Sequence, residues 1–444
     1  MKNSTMKMHK ALLRALLLPA LLLAFTACEI DDQFDPNGPS INSVLTDASV
    51  TELNLLVSGI EATMRNGFGT YVTASGTVAR ELYLFDADPR NTSDLLGKED
   101  NVIDNNTFYL TAPFGSRYRV VKNANILLEA VNNTDQVTAA QAEGYRGFAN
   151  TIKGLMLSQV LDLLGENGVR VDVADPANLG PFLDREAGYD AILGIMDMGN
   201  NQLNGAQFAF QLSPGFAGYD SPATFAQVNR ALTARIAIRA NRPAIAESAL
   251  NGSFLDLEGD LSAGPEHLFS TNANDILNPL FKVPGANGDQ IIVHPRIIAG
   301  AEDGDMRFDK FALRPDPQPL DGLNGDYETN LYASATSPID IIRNEELVLI
   351  YAEANARTGD LEEAVRGINI VRNAAGLEDW DGDEDDTDDV LDQILFERTY
   401  SLWGEGHAMF DLRRFGRLNS SFLPLDRAGD DVFTQFPIPL AEGE

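Results

Sequence analysis

Residues 341–376 read IIRNEELVLIYAEANARTGDLEEAVRGINIVRNAAG and predict two helices packed back to back. Apolar and small side chains recur at helical spacing on each side of a break, with Ala352 on one helix and Ala364 on the other. In the break, Gly359 suits a left-handed helix end and Asp360 suits the N-cap of the next helix. The stretch therefore predicts a tetratricopeptide-like helical hairpin, a unit that usually occurs in series and presents a concave surface.

The same hairpin pattern occurs twice more upstream, at about 117–165 and 224–251. Between the last two pairs, residues 252–340 contain Gly, Pro, Asn and Asp throughout, with short strand-like runs such as QIIVH at 290–294. Such a segment cannot form a core of its own, so we expect it to lie across the helical scaffold. The sequence predicts one mostly α domain over residues 47–444, built of tetratricopeptide-like helical-hairpin repeats with a long loop-rich insertion carrying short strands.

The first 27 residues have the pattern of a bacterial lipoprotein signal peptide. A basic start is followed by an apolar run that is too short to span a bilayer, which needs roughly 20 residues. Small residues then precede Cys28, the only cysteine, although Phe25 stands where leucine is usual. We expect lipidation of Cys28 and an acidic tether over residues 28–46. A plain signal peptide with an incidental cysteine is the alternative.

The formal net charge of −33 excludes a nucleic-acid-binding function, because such a surface repels phosphate backbones. The acid excess is typical of a saline habitat or of an ordinary acidic secreted protein. After the leader, the histidines are His267, His294 and His407, and they lack metal-binding spacing. No nucleophile or nucleotide-binding motif is present, so we expect no enzyme activity and no cofactor.

One acidic loop invites a calcium interpretation, because hard cations prefer clustered oxygens. Asp379, Asp381, Asp383 and Asp385 fall at alternate positions, as in an EF-hand loop. However, Glu384 occupies the position that needs glycine, which excludes an EF-hand. An irregular calcium site remains open, and a solvated connector that caps the following helix is the simpler interpretation.

A series of short motifs follows Arg343 in a fixed order. They are RNEELVLIYAEA from Arg343, GD at 359, NIVRNAAG from Asn369, ER at 397, EGH at 405, DLRRFG from Asp411 and FPIP at 436. In this order and spacing they resemble the SusD/RagB family of outer-membrane nutrient-binding lipoproteins, and the likeness extends over the mature chain. Ser401 departs from the pattern, since the family usually has glutamate there. The resemblance implies a SusD-like α superhelix.

Four charged residues of these motifs form the structural part of the pattern: Glu397, Arg398, Asp411 and Arg414. Carboxylates beside arginines usually pair, so we expect ion pairs that hold the last helices against the repeats. A glycosidase would instead need two carboxylates flanking a cleft, and nothing in the sequence places them so.

Ligand contacts in the resembling family come from variable segments, which here are the irregular residues 66–118 and 252–340. Sugar rings stack on aromatic side chains, while Arg, Asp and Asn bind hydroxyl groups. The candidate ligand-binding residues are Arg80, Tyr83, Asp86 and Arg90 in the first segment, and Tyr327, Asn330 and Tyr332 in the second.

The resemblance implies a lipid-anchored outer-membrane protein facing the cell exterior. It would bind an oligomeric nutrient, a glycan before a peptide, and deliver it to a SusC-like TonB-dependent transporter. A peptide-binding repeat scaffold, a peptide-uptake lipoprotein and a surface glycoside hydrolase remain alternatives.

Overall fold

The computed structural model describes residues 41–443. The predicted leader, Cys28 and the tether up to residue 40 lie outside the described residues. Packing divides the chain after Thr46, and the larger unit, from Asp47 onward, holds the fold described below. Within residues 41–443, no helix combines the length and apolar character needed to cross a bilayer.

Helices dominate the described chain, which confirms the predicted mostly α fold class. The helices are α1 (Ile41–Asp47), α2 (Val50–Met64), α3 (Phe68–Val78), α4 (Arg90–Ser93), α5 (Phe108–Asn132), α6 (Ala139–Leu164), α7 (Arg185–Leu203), α8 (Pro222–Arg239), α9 (Pro243–Leu250), α10 (Pro295–Gly300), α11 (Asn344–Thr358), α12 (Leu361–Ala374), α13 (Thr387–Ser401) and α14 (Ala408–Arg414). The strands are β1 (Leu82–Phe85), β2 (Val169–Arg170), β3 (Phe182–Leu183), β4 (Glu266–His267), β5 (Gln290–Val293), β6 (Phe311–Leu313), β7 (Tyr327–Thr329) and β8 (Ile339–Asp340).

The helices pack in chain order. Helix α5 lies on α6, α6 on α7, α7 on α8, α8 on α9, α9 on α11 and α11 on α12, and α13 contacts both α11 and α12. Three of these contacts correspond to the hairpins at about 117–165, 224–251 and 341–376. Helix α7 was not predicted, although Tyr189 and Leu193 recur at helical spacing and are buried.

The hairpin of α11 and α12 shows how the sequence sets the turn. Gly359 ends α11 with a φ of 96°, and the Asp360 carboxylate accepts a hydrogen bond from the backbone N–H of Glu363 at 3.2 Å. The two helices approach so closely that a Cβ atom on Gly367 would lie 2.9 Å from the Cβ of Ala352. Small residues at the contact are therefore required.

The segment 66–118 is more helical than its sequence indicates. Helix α5 begins at Phe108, nine residues before the predicted start, and α3 occupies a stretch rich in Gly and Thr that has poor helix propensity. Nearly all of α3 is buried, and the hydroxyl groups of Thr73 and Thr77 donate to carbonyl oxygens one turn back. Tertiary packing therefore overrides local preference here.

The two irregular segments meet in one antiparallel sheet of strand order β1-β5-β7-β6. Strand β1 comes from the N-terminal segment and the other three come from the insertion. The register pairs Phe85 with Gln290 and Ile292 with Glu328. Strands β4 and β8 pair near the two ends of the insertion. The insertion is therefore anchored to the scaffold through β1.

A buried carboxyl group lies directly before β1. The Glu81 side chain is 1% exposed, and its Oε1 accepts a hydrogen bond from the N–H of Gly404 at 2.9 Å. Burial raises the pKa of Glu81 to about 7, and the nearby carboxylates of Glu405 and Asp411 add to this effect against the opposing charge of Arg296. The folded protein therefore keeps a proton that the unfolded chain releases near pH 4.5.

We expect Glu81→Gln to change the pH dependence of stability. Because the pKa of Glu81 is raised on folding, the wild-type protein loses stability as the pH rises from 4.5 to 7, and the glutamine variant lacks this loss. The stability of the variant relative to wild type should rise by up to about 3 kcal/mol across this range. Urea unfolding at several pH values measures it, with exposed Glu247→Gln as the control. A difference that stays constant with pH would contradict the expectation.

Candidate functional site

An open depression of about 630 Å³ lies where β1 ends. It borders the start of the insertion's sheet, since Gly288 comes two residues before β5. Its lining residues are Asp86, Ala87, Asp88, Pro89, Arg90 and Gly288. Two residues that the sequence analysis selected, Asp86 and Arg90, therefore lie together here.

Hydrogen bonds within the loop order the depression. The Asp86 carboxylate accepts from the Asn91 side-chain amide at 2.9 Å and from the backbone N–H of Asp88 at 2.9 Å. Arg90 donates two hydrogen bonds to the Asp88 carboxylate, from Nε at 2.9 Å and Nη2 at 2.6 Å. Such paired contacts fix the plane of the guanidinium group before any ligand arrives.

An aromatic ring supports the same guanidinium group. The Cζ of Arg90 lies 5.2 Å from the ring centroid of Phe108, the first residue of α5, and the Arg90 side chain is 49% exposed. The hydrogen bond from Arg90 lowers the pKa of Asp88, which stays ionised. The depression thus offers a flat cationic surface on an aromatic ring beside two carboxylate side chains.

The sheet brings Asn330 toward the same end as Asp86. Strand β7 is antiparallel to β5 and therefore runs in the direction of β1. Asn330 follows β7 and is exposed, with its amide nitrogen donating to the carbonyl oxygen of Asp309 at 2.9 Å. This sheet end therefore combines polar groups from both irregular segments.

The other two candidates in the insertion lie apart from this end. Tyr327 occupies the opposite end of β7, half-buried and edge-on to Phe308 at 5.7 Å. Burial raises the pKa of Tyr332 well above its usual value, and the nearby carboxylates of Glu405 and Asp340 add to this shift. Neither tyrosine lines the depression.

Arg80 and Tyr83 correct the sequence expectation, because both are buried and present no face to a ligand. The Tyr83 side chain is 1% exposed, and its hydroxyl donates to Oδ1 of Asp426 at 2.7 Å. Arg80 is fully buried, with its Nε 3.4 Å from Oδ2 of Asp426. His294 contacts the same carboxylate at 2.7 Å. These residues hold the C-terminal segment against the sheet.

The charged residues of the C-terminal motifs form buried ion pairs. Asp411 accepts hydrogen bonds from Arg398 at 2.7 Å and from Arg414 at 2.9 Å. Arg414 also donates two hydrogen bonds of 2.7 Å to Glu353 of α11. Glu397 accepts hydrogen bonds from Arg307 of the insertion at 2.6 Å and from Arg372 of α12 at 3.0 Å. The network ties α13 and α14 to the repeats and the insertion.

The geometry of this network is that of a structural ion-pair cluster and not of a substrate-binding cleft. Glu397 and Asp411 are both buried and paired with arginines. A cavity beside Asp411 and Arg398 measures about 10 Å³, which is the room of roughly one water molecule.

The acidic loop before α13 caps that helix. Asp386 accepts hydrogen bonds from the backbone N–H groups of Asp388 and Asp389. The four aspartates considered for calcium are exposed. Over residues 41–443, no group of three or more His, Cys, Asp and Glu side chains is arranged to hold a metal ion.

Sequence reasoning missed Phe108 and Gly288 as site residues. Phe108 is one of many aromatics in segment 66–118, and nothing in its neighbours distinguishes it from core residues. Gly288 has a φ of 95° and open space around its Cβ position. In the sequence, the signal for this turn was a glycine between two polar residues.

Comparisons with known proteins bear on the motifs and on the fold. Residues 321–437 match the SusD family model. A SusD superfamily protein from Bacteroides vulgatus aligns with a TM-score of 0.66 at 15% identity, over 89% of this chain and 96% of its own. Surface glycan-binding protein A from Bacteroides thetaiotaomicron aligns with a TM-score of 0.69 at 16% identity, over 90% of this chain and 97% of its own.

A laminarin binding SusD-like protein gives a TM-score of 0.63 at 16% identity, over 89% of this chain and 97% of its own. Among curated proteins, none matches this chain significantly. At these identities the structural likeness establishes a shared fold, and the matched C-terminal segment contains most of the motifs from which the resemblance was inferred. Residues 321–437 therefore match the SusD family, and the chain as a whole shares the fold of SusD superfamily proteins.

Proposed function

We propose that this protein binds a glycan at the cell surface and delivers it to a TonB-dependent outer-membrane transporter. The observation that carries the binding proposal is the open depression in which Arg90 lies on the ring of Phe108 beside ionised Asp88. The match of residues 321–437 to the SusD family supports it, as do two proteins of the same fold that are named for glycan and laminarin binding. Delivery and transporter partnership rest on the family resemblance.

Binding would be non-covalent and would use three kinds of contact. The flat guanidinium of Arg90 can stack against the C–H face of a sugar ring, with Phe108 supporting it from behind. The carboxylates of Asp86 and Asp88 can accept hydrogen bonds from ring hydroxyl groups. Gly288 adds no side chain, so a chain of sugar units can continue over this edge. The volume of about 630 Å³ lies within the usual range for ligand pockets.

Anchoring would place this site outside the cell. The lone cysteine after the apolar leader, Cys28, would carry the lipid, and the acidic residues that follow it would direct the protein to the exterior. A tethered binding protein raises the local concentration of captured glycan near its transporter.

We expect Phe108→Ala to weaken glycan binding by about tenfold. Removing the ring takes away the support of Arg90, and contacts of this kind contribute on the order of 1–2 kcal/mol. Arg90→Ala should weaken binding at least as much. Isothermal titration of the purified protein with whichever soluble polysaccharide it binds gives the affinities.

Phe422→Ala is the matched control. Phe422 is 47% exposed and lies 5.6 Å from the guanidinium of Arg417, so it repeats the arginine–phenylalanine contact on another surface. Its loss should leave glycan affinity unchanged. Equal weakening by both variants would contradict the assignment of the depression. Saturable binding of peptides without glycans, or release of reducing ends from the polysaccharide, would contradict the proposed function itself.

A further inference from the structure

A second cavity, of about 430 Å³, shares no lining residue with the depression beside β1. Three elements form its walls: the end of α2, the turn Pro214–Phe216 and strand β4. The turn rests directly on β4, because a Cβ atom on Gly215 would lie 2.2 Å from the carbonyl oxygen of Glu266. The cavity is therefore built by close backbone packing and not by loose loops.

Two carboxylates face this cavity without a cationic partner. Glu61 accepts a hydrogen bond from the backbone N–H of Ser213 at 3.1 Å, and Glu266 has no side-chain hydrogen bond within the described chain. The arginine that lines the cavity, Arg65, forms its ion pair with Asp275 at 2.8 Å, and its charge lowers the pKa of Glu61 against the larger effect of burial. Across residues 41–443, no Lys, Arg or His lies within ion-pair distance of Glu61 or Glu266.

An unpartnered histidine completes the site. His267 lines the cavity, is 8% exposed, and its ring nitrogens form no hydrogen bond with any described residue. Its ring meets Phe68 edge-on at 5.9 Å, which fixes its position. Burial, with Arg117 and Arg65 nearby, lowers the pKa of His267 to about 3, so the imidazole is neutral and can accept a hydrogen bond.

The chemistry of these groups selects the ligand. Buried polar side chains are usually hydrogen-bonded, so the unpartnered ring of buried His267 indicates a missing donor, and the half-buried carboxylates of Glu61 and Glu266 border the same cavity. A neutral imidazole nitrogen and a carboxylate oxygen both accept hydrogen bonds from an N–H donor. A cation suits two unpaired carboxylates, and Met64 and Phe216 offer apolar surface to its carbon skeleton.

We propose that this cavity binds a small ligand bearing a primary ammonium group, supplied by an amino sugar or by a lysine side chain. The ammonium pairs with a carboxylate at the cavity, that of Glu61 or Glu266, and His267 accepts a hydrogen bond from the same ligand. Burial raises the pKa of Glu61 in the ligand-free protein. A bound cation offsets that desolvation. The site does not depend on the proposed glycan site.

The test titrates the purified full-length protein with three probes near neutral pH: glucosamine, Nα-acetyl-lysine amide and glucose. We expect saturable binding of at least one amine and binding of glucose that is at least tenfold weaker. Binding of glucosamine alone assigns the amino sugar, and binding of the lysine probe alone assigns the lysine side chain. Equal binding of glucose and glucosamine, or no binding of either amine, overturns the proposal.

Variants distinguish amine binding at this cavity from non-specific attraction of amines to the acidic surface of the protein. Glu61→Gln keeps an acceptor for Ser213 and removes one charge, so it should weaken amine binding by about tenfold. Glu266→Gln, at a side chain without a hydrogen-bond partner, should weaken it similarly with the fold intact. Glu143→Gln on α6 and Phe108→Ala should leave amine binding unchanged. Unchanged affinity in both Glu61→Gln and Glu266→Gln overturns the proposal, whatever the outcome for glycans.

Discussion

Replacing Asp411 by alanine should destabilise the protein by about 3–5 kcal/mol, since it removes one partner from a buried ion-pair network. Asp411 is 2% exposed, and it is the carboxylate that pairs with Arg398 in the described chain. Burial alone would raise the pKa of Asp411, but Arg398 and Arg414 hold it below its usual value. Its loss would leave the Arg398 guanidinium buried without a counter-charge. Equilibrium unfolding in urea measures the difference.

Asp392→Ala provides the matched control for this prediction. Asp392 accepts two hydrogen bonds from Arg417, at 2.7 and 2.8 Å, so the contact resembles that of Asp411. Both side chains are largely exposed, at 54% and 40%, and exposed pairs contribute less than about 1 kcal/mol. Similar losses in the two variants would show that the C-terminal network does not hold the fold together.

Trp403→Ala should also cost about 3–5 kcal/mol, because it removes a large, fully buried side chain. The Trp403 ring lies edge-on to Phe311 of β6 at 4.9 Å, and its indole N–H donates to the carbonyl oxygen of Glu81 at 3.2 Å. The residue therefore joins the sheet of the insertion to the C-terminal region. Its loss should loosen the sheet that borders the proposed glycan site.

The chain contains one other tryptophan, Trp380, which serves as the control. It is half-buried against the cluster of Ala352, Ala364 and Ile368, so Trp380→Ala should cost less than about 2 kcal/mol. Thermal unfolding followed by circular dichroism compares the two variants. A Trp403→Ala variant that is no less stable than Trp380→Ala would contradict the role assigned to Trp403.

The helical hairpins could be predicted because their signals are local. Periodic apolar residues, Gly359 and Asp360 specify α11, the turn and α12 within about 30 residues. Helix α3 could not be predicted in this way, since its Gly and Thr residues are helical only through burial. Local signals therefore describe the scaffold well and the segments around the site poorly.

The sheet and the site depend on contacts that no local pattern encodes. Leu84 pairs with Ile291, far along the chain, and this pairing decides which loops meet. Tyr83 and Phe108 are both aromatic residues of one irregular segment, yet the fold buries Tyr83 in a cluster with Ile292 of β5 and leaves Phe108 beside Arg90. The sequence identified residues whose side chains are chemically suited to bind a sugar. The tertiary structure was needed to show which of those side chains are accessible to a ligand.

The central claim is that this protein, which has the SusD-like fold, captures a glycan through the depression beside β1. The most direct measurement incubates the purified protein with an array of soluble polysaccharides and a matched peptide library, and then titrates each positive ligand. The account predicts saturable binding of at least one glycan, weakened by Phe108→Ala and unaffected by Phe422→Ala. Binding of peptides alone, or glycan binding that is insensitive to Phe108→Ala and Arg90→Ala, would contradict it.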